Sequence, residues 1–139
     1  MSQLKIICDN REPPEIISNL EEMGVQVESK QLEIGDYIVS ENVGIERKSG
    51  NDFVASLADG RLFEQVDRLQ NAYPRPIYIL ENFSSAFERE GWEERRKHVY
   101  GALCYISVRR GIPVTPTESL EETSLLLERI VSWEQEEHD

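Results

Sequence analysis

The sequence has few cysteines, and the two that occur do not form a recognisable framework. Cys8 and Cys104 are the only cysteines in 139 residues, and no C-x-x-C pair or cysteine–histidine cluster accompanies them. A disulfide scaffold and a zinc site of ordinary ligand spacing are therefore excluded. Each cysteine lies within an apolar run, so we expect two buried free thiols.

Long apolar runs are also missing. No stretch approaches the roughly 20 apolar residues that a membrane-spanning helix requires. The run from Leu4 to Cys8 is too short to be the core of a secretory signal. We therefore expect an intracellular protein that does not contact a membrane.

Positive charge is scarce. Lysine and arginine number 15 against 27 aspartates and glutamates, which gives a net charge of −12. Proteins that bind nucleic acid through charge alone are basic, so the negative net charge of this chain argues against that class. Either the protein does not act on DNA, or another domain supplies most of the affinity for DNA.

The length and composition fit one globular unit. A chain of 139 residues with 39% hydrophobic and 30% charged residues can bury roughly two-thirds of its unfolded surface. We expect a single domain over residues 1–133. The acidic segment 134–139 is expected to be a frayed tail.

Strand and helix patterns alternate along the chain. Short apolar or alternating segments predict strands at Leu4–Asp9, Val25–Lys30, Tyr37–Val39, Val43–Lys48, Ile77–Leu80 and Ile112–Thr115. Helical spacing predicts helices after Pro13, from an N-cap at Asp52, after Gly60, from Trp92 to Arg110 and from Glu118 to Trp133. This order predicts an α/β fold of three layers, with a central mixed β-sheet flanked by helices.

A hairpin near the middle of the chain can bring two carboxylates together. If Ser40-Glu41-Asn42 is a three-residue loop, Val39 pairs with Val43 and Asp36 pairs with Glu46. The two Cβ atoms would then be roughly 5 Å apart on one face. Lys48 shares that face with Glu46, because side chains alternate along a strand.

Such a pair suits a metal ion. Two close carboxylates repel each other unless a positive group lies between them. A hard cation such as Mg²⁺ binds one or two carboxylates and keeps waters for chemistry. Lys48 could position that water, and Asp9 at the end of the first strand could add a third carboxylate. The same spacing also fits a surface hairpin with a Glu–Lys pair.

Several ordered motifs resemble one known family. Gly35-Asp36-Tyr37, then Ile45-Glu46-Arg47-Lys48, then Asp52, resemble the G-D-x(n)-E-R-K-x3-D motif of the XPF–Hef family of structure-specific endonucleases. Four further segments resemble family motifs, namely Cys8–Glu12, Gly60–Gln65, Ile77–Glu81 and Gly111–Val114. Asn82 stands where the family commonly has glycine. The resemblance covers nearly the whole chain, and we expect the archaeal type.

The resemblance implies a restriction-endonuclease-like core, dependence on Mg²⁺ or Mn²⁺, and cleavage of DNA near a fork, flap or branch. Asp36 and Glu46 are implied metal ligands and Lys48 the catalytic lysine. The further implied site or supporting residues are Asp9, Glu12, Arg47, Asp52 and Arg61. A family member would be cytoplasmic in an archaeon and nuclear in a eukaryote.

The residues themselves allow more than one role at three of these positions. Arg47 lies on the strand face opposite Glu46, so we expect it to be the buried partner of an acid; the alternative is a direct phosphate ligand. Asp52 can be an N-cap, a catalytic residue or both. Arg61 begins a helix, where a cation gains nothing from the helix dipole, which favours a role in function.

Partners follow partly from the resemblance. It implies a dimer of nuclease domains, and helix-hairpin-helix or helicase modules on the full-length protein. The last third of the chain is apolar over more than one helical face, which fits a homodimer through the C-terminal helices. Alternatively, those two helices cover each other within one monomer. Two other functions stay open, a non-catalytic scaffold subunit and a junction resolvase or restriction enzyme with the same core.

Overall fold

The computed structural model describes residues 3–136 and contains six strands and five α-helices within that range. The strands are β1 (Leu4–Asp9), β2 (Val25–Lys30), β3 (Tyr37–Ile38), β4 (Gly44–Ser49), β5 (Ile77–Glu81) and β6 (Val114–Thr117). The helices are α1 (Pro14–Glu22), α2 (Gly50–Ala58), α3 (Leu62–Ala72), α4 (Arg96–Cys104) and α5 (Leu120–Gln135). Across this range, none of the helices has the length and apolarity needed to cross a membrane.

The six strands form one mixed sheet in the order β2-β1-β3-β4-β5-β6. β1 pairs in parallel with β2, and β4, β5 and β6 are parallel to one another. The short strand β3 is antiparallel to both of its neighbours, β1 and β4. The predicted α/β fold with a central mixed sheet is therefore confirmed, and β3–β4 is the inserted hairpin.

Helices cover the sheet in two layers with separate cores. One core joins α1 and α5 to the sheet through Ile16, Leu20, Leu127 and Val131, together with Ile45 of β4. The other joins α2, α3 and α4 to β5, and its buried members include Phe53, Val54, Leu62, Val66, Leu69, Tyr78, Leu80, Val99, Ala102 and Ile106. Burial of each large apolar side chain contributes about 1.5–3 kcal/mol, so both layers stabilise the sheet.

The start of α2 differs from its prediction. Ser49, not Asp52, is the N-cap, and its Oγ accepts a hydrogen bond from the Asp52 backbone N–H at 3.0 Å. Asp52 lies in the first turn, where its negative charge still suits the helix dipole. Ser49, three residues before Asp52, therefore has the capping role that the sequence predicted for Asp52.

Other departures lie in the C-terminal third. The predicted helix from Trp92 to Arg110 is divided into a 3₁₀ turn (Glu93–Arg95), α4 and a π-helical turn (Tyr105–Arg109). The last strand lies two residues later than predicted, at Val114–Thr117. Cys104 is exposed, so the expectation of a second buried thiol was wrong, whereas Cys8 is buried.

The acidic segment begins inside a helix. α5 continues to Gln135, and Glu134 pairs with Arg75, so these residues are ordered parts of the domain. The frayed tail predicted from residue 134 therefore does not begin there. Residues 137–139 lie outside the described range.

One aromatic ring lies where β4 has no side chain. A Cβ at Gly44 would lie 2.3 Å from Tyr73 Cδ2, because the Tyr73 ring lies directly over the Gly44 backbone. The Tyr73 hydroxyl donates to the Ile34 carbonyl oxygen at 2.7 Å. The ring therefore ties the segment before β3 to the face of β4.

Gly44→Ala should destabilise the protein by about 1–3 kcal/mol, because the new methyl group displaces the Tyr73 ring. Gly101→Ala is the matched control, since nothing lies within 4 Å of a Cβ built there. Gly101 is inside α4, so alanine should be neutral or stabilise by up to about 1 kcal/mol. Urea unfolding at several protein concentrations separates the two, and equal stabilities would contradict the proposed packing of Tyr73.

Candidate active site

The β3–β4 hairpin has the register predicted from its loop length. Tyr37 pairs with Ile45 and Ile38 with Gly44, and the Val39 N–H donates to the Val43 carbonyl at 2.9 Å. Extending this register by one residue places Asp36 opposite Glu46. The loop of Ser40, Glu41 and Asn42 is closed by Ser40 Oγ, which accepts from the backbone N–H groups of Asn42 and Val43.

Asp36 is held close to Glu46 in a partly buried position. Its Oδ2 accepts a hydrogen bond from the Arg47 N–H at 2.8 Å, and its own N–H donates to the Ile45 carbonyl at 2.8 Å. Burial, together with the charges of Glu46 and Glu12, raises the pKa of Asp36 to about 8. Burial also raises the pKa of Glu46, against the opposing effect of Lys48. The two carboxylates therefore favour the binding of a proton or a cation between them.

Lys48 lies on the Glu46 side of β4. Glu46 and Lys48 are in register with Tyr78 and Leu80 of β5, whose side chains face the α2–α4 layer. Lys48 Nζ donates to Gln65 Oε1 of α3 at 2.9 Å. An open cleft of about 140 Å³ lies here, lined by Glu33, Ile34, Gly35, Glu46, Gln65 and Arg68. We call it the α3 cleft.

Arg47 extends to the opposite side of the sheet. Its Nε pairs with Glu12 Oε1 at 2.7 Å and its Nη1 with Glu81 Oε1 at 2.8 Å, and only 16% of the side chain is exposed. This is the buried pairing with acids that the strand periodicity predicted. Arg47 reaches the Asp36 carboxylate through its backbone N–H rather than its guanidinium.

Glu81 continues this network into the last helix. Thr123 Oγ1 of α5 donates to Glu81 Oε2 at 2.5 Å, and the Thr117 and Thr123 hydroxyl oxygens are 2.7 Å apart. Glu81 ends a segment that resembles the family, but it was not among the predicted site residues. Nothing in the sequence singled out Thr123. Gln65 also belongs to a segment that resembles the family, and no role was predicted for it.

Asp9 does not join the carboxylate pair, contrary to expectation. Its Oδ2 accepts from Arg11 Nε and its Oδ1 from the Leu32 N–H, at 2.9 and 2.8 Å. The hydrogen bond from Arg11 holds the pKa of Asp9 below its usual range. Among residues 3–136, no three His, Cys, Asp or Glu side chains are close enough to share a metal ion. The described residues therefore do not bring Asp9, Asp36 and Glu46 together as one cluster, and a metal-binding role for Asp9 stays a prediction. Asp9 instead fixes the end of β1, and its N–H donates to the Asp36 carbonyl at 2.8 Å.

The two remaining predicted residues are on the surface. Asp52 is exposed on the first turn of α2. Arg61 forms an exposed ion pair with Asp59 at 2.9 Å. Roles for both in the reaction stay predictions.

The sequence matches the ERCC4 domain over residues 8–130. The chain belongs to the ERCC4 domain family. This ERCC4 domain is 30% identical to the 3′-flap repair endonuclease Xpf of Saccharolobus solfataricus over 128 residues, which covers 91% of the chain and 54% of that protein. It is 38% identical over 134 residues to a Methanocaldococcus jannaschii protein named as an ATP-dependent RNA helicase, covering 95% of the chain and 16% of that protein. The chain thus spans about half or less of the length of these curated relatives.

Solved structures agree with this assignment. XPF from Aeropyrum pernix matches this ERCC4 domain with a TM-score of 0.85 and 36% identity, over 94% of this chain and 64% of that one. The same protein in complex with DNA matches with a TM-score of 0.84 and 35% identity, over 99% of this chain and 68% of that one. The recognition of an XPF-like nuclease fold from the sequence motifs is therefore confirmed.

The raised pKa of Asp36 predicts how stability depends on pH. Between the ordinary pKa of 3.8 and the folded value of about 8, the folded state keeps a proton that the unfolded chain has released. The free energy of unfolding should therefore fall as pH rises from about 4 to about 8 in metal-free buffer. Asp36→Asn should remove most of this slope and raise the melting temperature at pH 8. Exposed Glu41→Gln should not.

Thermal melts from pH 4 to pH 8 with a chelator present measure this directly. Adding Mg²⁺ at pH 8 should raise the melting temperature of the wild type more than that of Asp36→Asn, because the ion takes the place of the proton. Parallel curves for the wild type and Asp36→Asn would show that Asp36 is not the group responsible.

Proposed function

We propose that this chain is a divalent-metal-dependent endonuclease domain that hydrolyses a phosphodiester bond of DNA near a fork, flap or branch junction. The observation that carries the proposal is the pairing of Asp36 with Glu46 across the hairpin, with Lys48 on the same side of β4. Membership of the ERCC4 domain family and the similarity to a 3′-flap repair endonuclease support it.

The carboxylates of Asp36 and Glu46 fit Mg²⁺ or Mn²⁺. Both are oxygen donors, which hard divalent cations prefer, and two protein carboxylates are a sufficient set because such ions keep several waters. Burial and mutual repulsion disfavour the state in which both carboxylates are charged. A bound cation would stabilise that state by offsetting the repulsion. When bound, the ion supplies polarisation of a phosphoryl oxygen and a water of lowered pKa.

The neighbouring residues of the chain orient and balance this pair. Lys48, held by Gln65, places an ammonium group where charge develops on the phosphate or where the attacking water lies. The Arg47 N–H fixes one oxygen of Asp36, so the other stays available to a ligand. Glu12 and Glu81 fix the Arg47 guanidinium on the far side of the sheet, which keeps this strand segment in place.

The acidic balance of the chain bears on how DNA is held. A net charge of −12 opposes binding to phosphate over most of the surface. We propose that helicase or helix-hairpin-helix modules of a full-length protein supply most of the affinity. The helicase name of one relative, of which this chain covers 16%, supports that arrangement.

Incubation with forked, flapped and intact duplex DNA plus Mg²⁺ tests the function. The wild type should nick the branched substrates, whereas Asp36→Asn and Glu46→Gln should lose both cleavage and metal affinity. Lys48→Ala should retain the metal and lose about 10²–10³ in rate, since it removes one electrostatic stabiliser. Calorimetric titration with Mn²⁺ separates the two classes of variant.

Glu41→Gln is the matched control, because it removes one exposed carboxylate from the same hairpin and should leave cleavage unchanged. Binding of forked DNA without cleavage by the wild type would identify a scaffold subunit instead. Cleavage at wild-type rate by either carboxylate variant would remove that residue from the mechanism.

We also propose that the domain forms a two-fold homodimer through its C-terminal helices. α4 packs in the core beside α2, and α5 packs beside α1 on the other side of the sheet, so these helices do not cover each other. Large apolar side chains remain exposed on α4, on the π-helical turn that follows it and on α5: Tyr100 50%, Val108 77%, Leu125 54% and Trp133 66%. A symmetric interface would bury part of this surface.

Light scattering at low micromolar concentration should give about twice the 16.1 kDa mass of one chain. Val108→Glu and Leu125→Glu should each shift the mass toward that of the monomer. Met23→Glu, which alters an exposed apolar residue after α1, should not. A monomeric mass that stays constant as concentration rises would show that the helices are not an interface.

A further inference from the structure

Arg68, a basic residue of the α3 cleft, lies near Lys48 but has no role in the site described above. Gln65 and Arg68 lie three residues apart on α3, so they project from neighbouring positions on one side of the helix. Gln65 holds the Lys48 ammonium at 2.9 Å, and Arg68 lines the same cleft together with Glu46. α3 therefore places two side chains beside the strand that carries Glu46 and Lys48.

Arg68 is exposed and makes no ion pair within residues 3–136. Many other arginines in this range are paired with an acid: Arg11, Arg47, Arg61, Arg75, Arg96, Arg110 and Arg129. The guanidinium of Arg68 is thus available to a ligand, although the chain has an excess of carboxylates. An anion that enters the cleft can therefore pair with Arg68 without displacing an acid of this chain.

The charges around the cleft indicate which anion that is. Glu33 and Glu46 line the cleft, and Arg68 is the basic residue among its lining side chains in the described range. A phosphodiester that approaches Glu46 and Asp36 is repelled by these carboxylates unless a cation on the rim attracts it. A guanidinium presents a planar fork of N–H donors that matches two phosphate oxygens, and it stays charged at every working pH.

We infer that Arg68 binds a backbone phosphate of the DNA at the rim of the α3 cleft, beside the phosphate that faces Glu46 and Lys48. The inference rests on the proposed function for the identity of the ligand, and it assigns Arg68 to substrate binding rather than to bond cleavage. Arg68 then contacts the DNA strand directly from α3, while Gln65 of the same helix positions Lys48 of β4.

Fluorescence anisotropy with forked DNA in a chelating buffer tests binding apart from cleavage. Arg68→Gln should weaken binding at each salt concentration. The slope of log affinity against log salt should become shallower by about 0.7–0.9, which corresponds to the loss of one phosphate contact. Arg68→Lys should keep the slope and recover part of the affinity. Lys5→Gln, which removes one exposed positive charge from β1, should match the wild type.

Steady-state cleavage provides the second readout. Arg68→Gln should raise KM and leave kcat within about twofold, because uniform binding is lost and the chemistry is not. An unchanged salt slope in Arg68→Gln, or a fall in kcat with KM unchanged, would overturn the inference. A thermal melt equal to that of the wild type shows that an affinity change does not come from unfolding.

The two proposals fail in different ways. In one outcome, the wild type binds forked DNA with a salt dependence that Arg68→Gln reduces, yet never cleaves it. That result would contradict the nuclease assignment and support the phosphate contact. If the wild type cleaves and Arg68→Gln is indistinguishable from it in both assays, the phosphate contact falls and the nuclease assignment stands.

Discussion

Repulsion between the carboxylates of Asp36 and Glu46 is the constraint to which the surrounding structure responds. Two strands hold these groups opposite each other, and burial withdraws the solvent that would otherwise screen them. A chain selected only for stability would not keep such a pair, because an apolar or hydrogen-bonded pair costs less. The fold can keep this repulsive pair because other contacts hold the hairpin on both faces of the sheet.

The anchors come from both layers of the fold. On one side, Arg47 connects β4 to Glu12 and Glu81, and Glu81 connects to Thr123 of α5. On the other side, Tyr73 lies over Gly44, and Gln65 holds Lys48. Asp9 adds a third anchor, because its backbone N–H binds the Asp36 carbonyl while its side chain binds Arg11 and Leu32. The position of the carboxylate pair is therefore fixed by elements that lie far apart in the chain.

This arrangement also reconciles a net charge of −12 with membership of a family of DNA endonucleases. Arg68 lies on α3 and Lys48 contacts α3 through Gln65, so positive charge lies beside the carboxylate pair although the chain as a whole is acidic. Local positive charge governs how a strand is oriented at the site. Long-range attraction to DNA is a separate property that other modules can provide.

The sequence by itself determined those features that depend on neighbours in the chain. The alternation of strands and helices follows from apolar periodicity. The pairing of Asp36 with Glu46 follows from the length of the loop at Ser40–Asn42, and the opposite facing of Arg47 and Glu46 follows from strand geometry. Each of these is a local rule, so each was predicted correctly.

Only the tertiary structure decided which distant side chains meet. The donors to Asp9 include Leu32, 23 residues away, Gln65 meets Lys48 across 17 residues, and Thr123 meets Glu81 across 42. Periodicity assigns a side chain to one face of its own element but does not say which element packs against that face. Asp9 is an example: it lies at the end of β1 as predicted, but its oxygens accept hydrogen bonds from Arg11 and Leu32, which the sequence did not indicate.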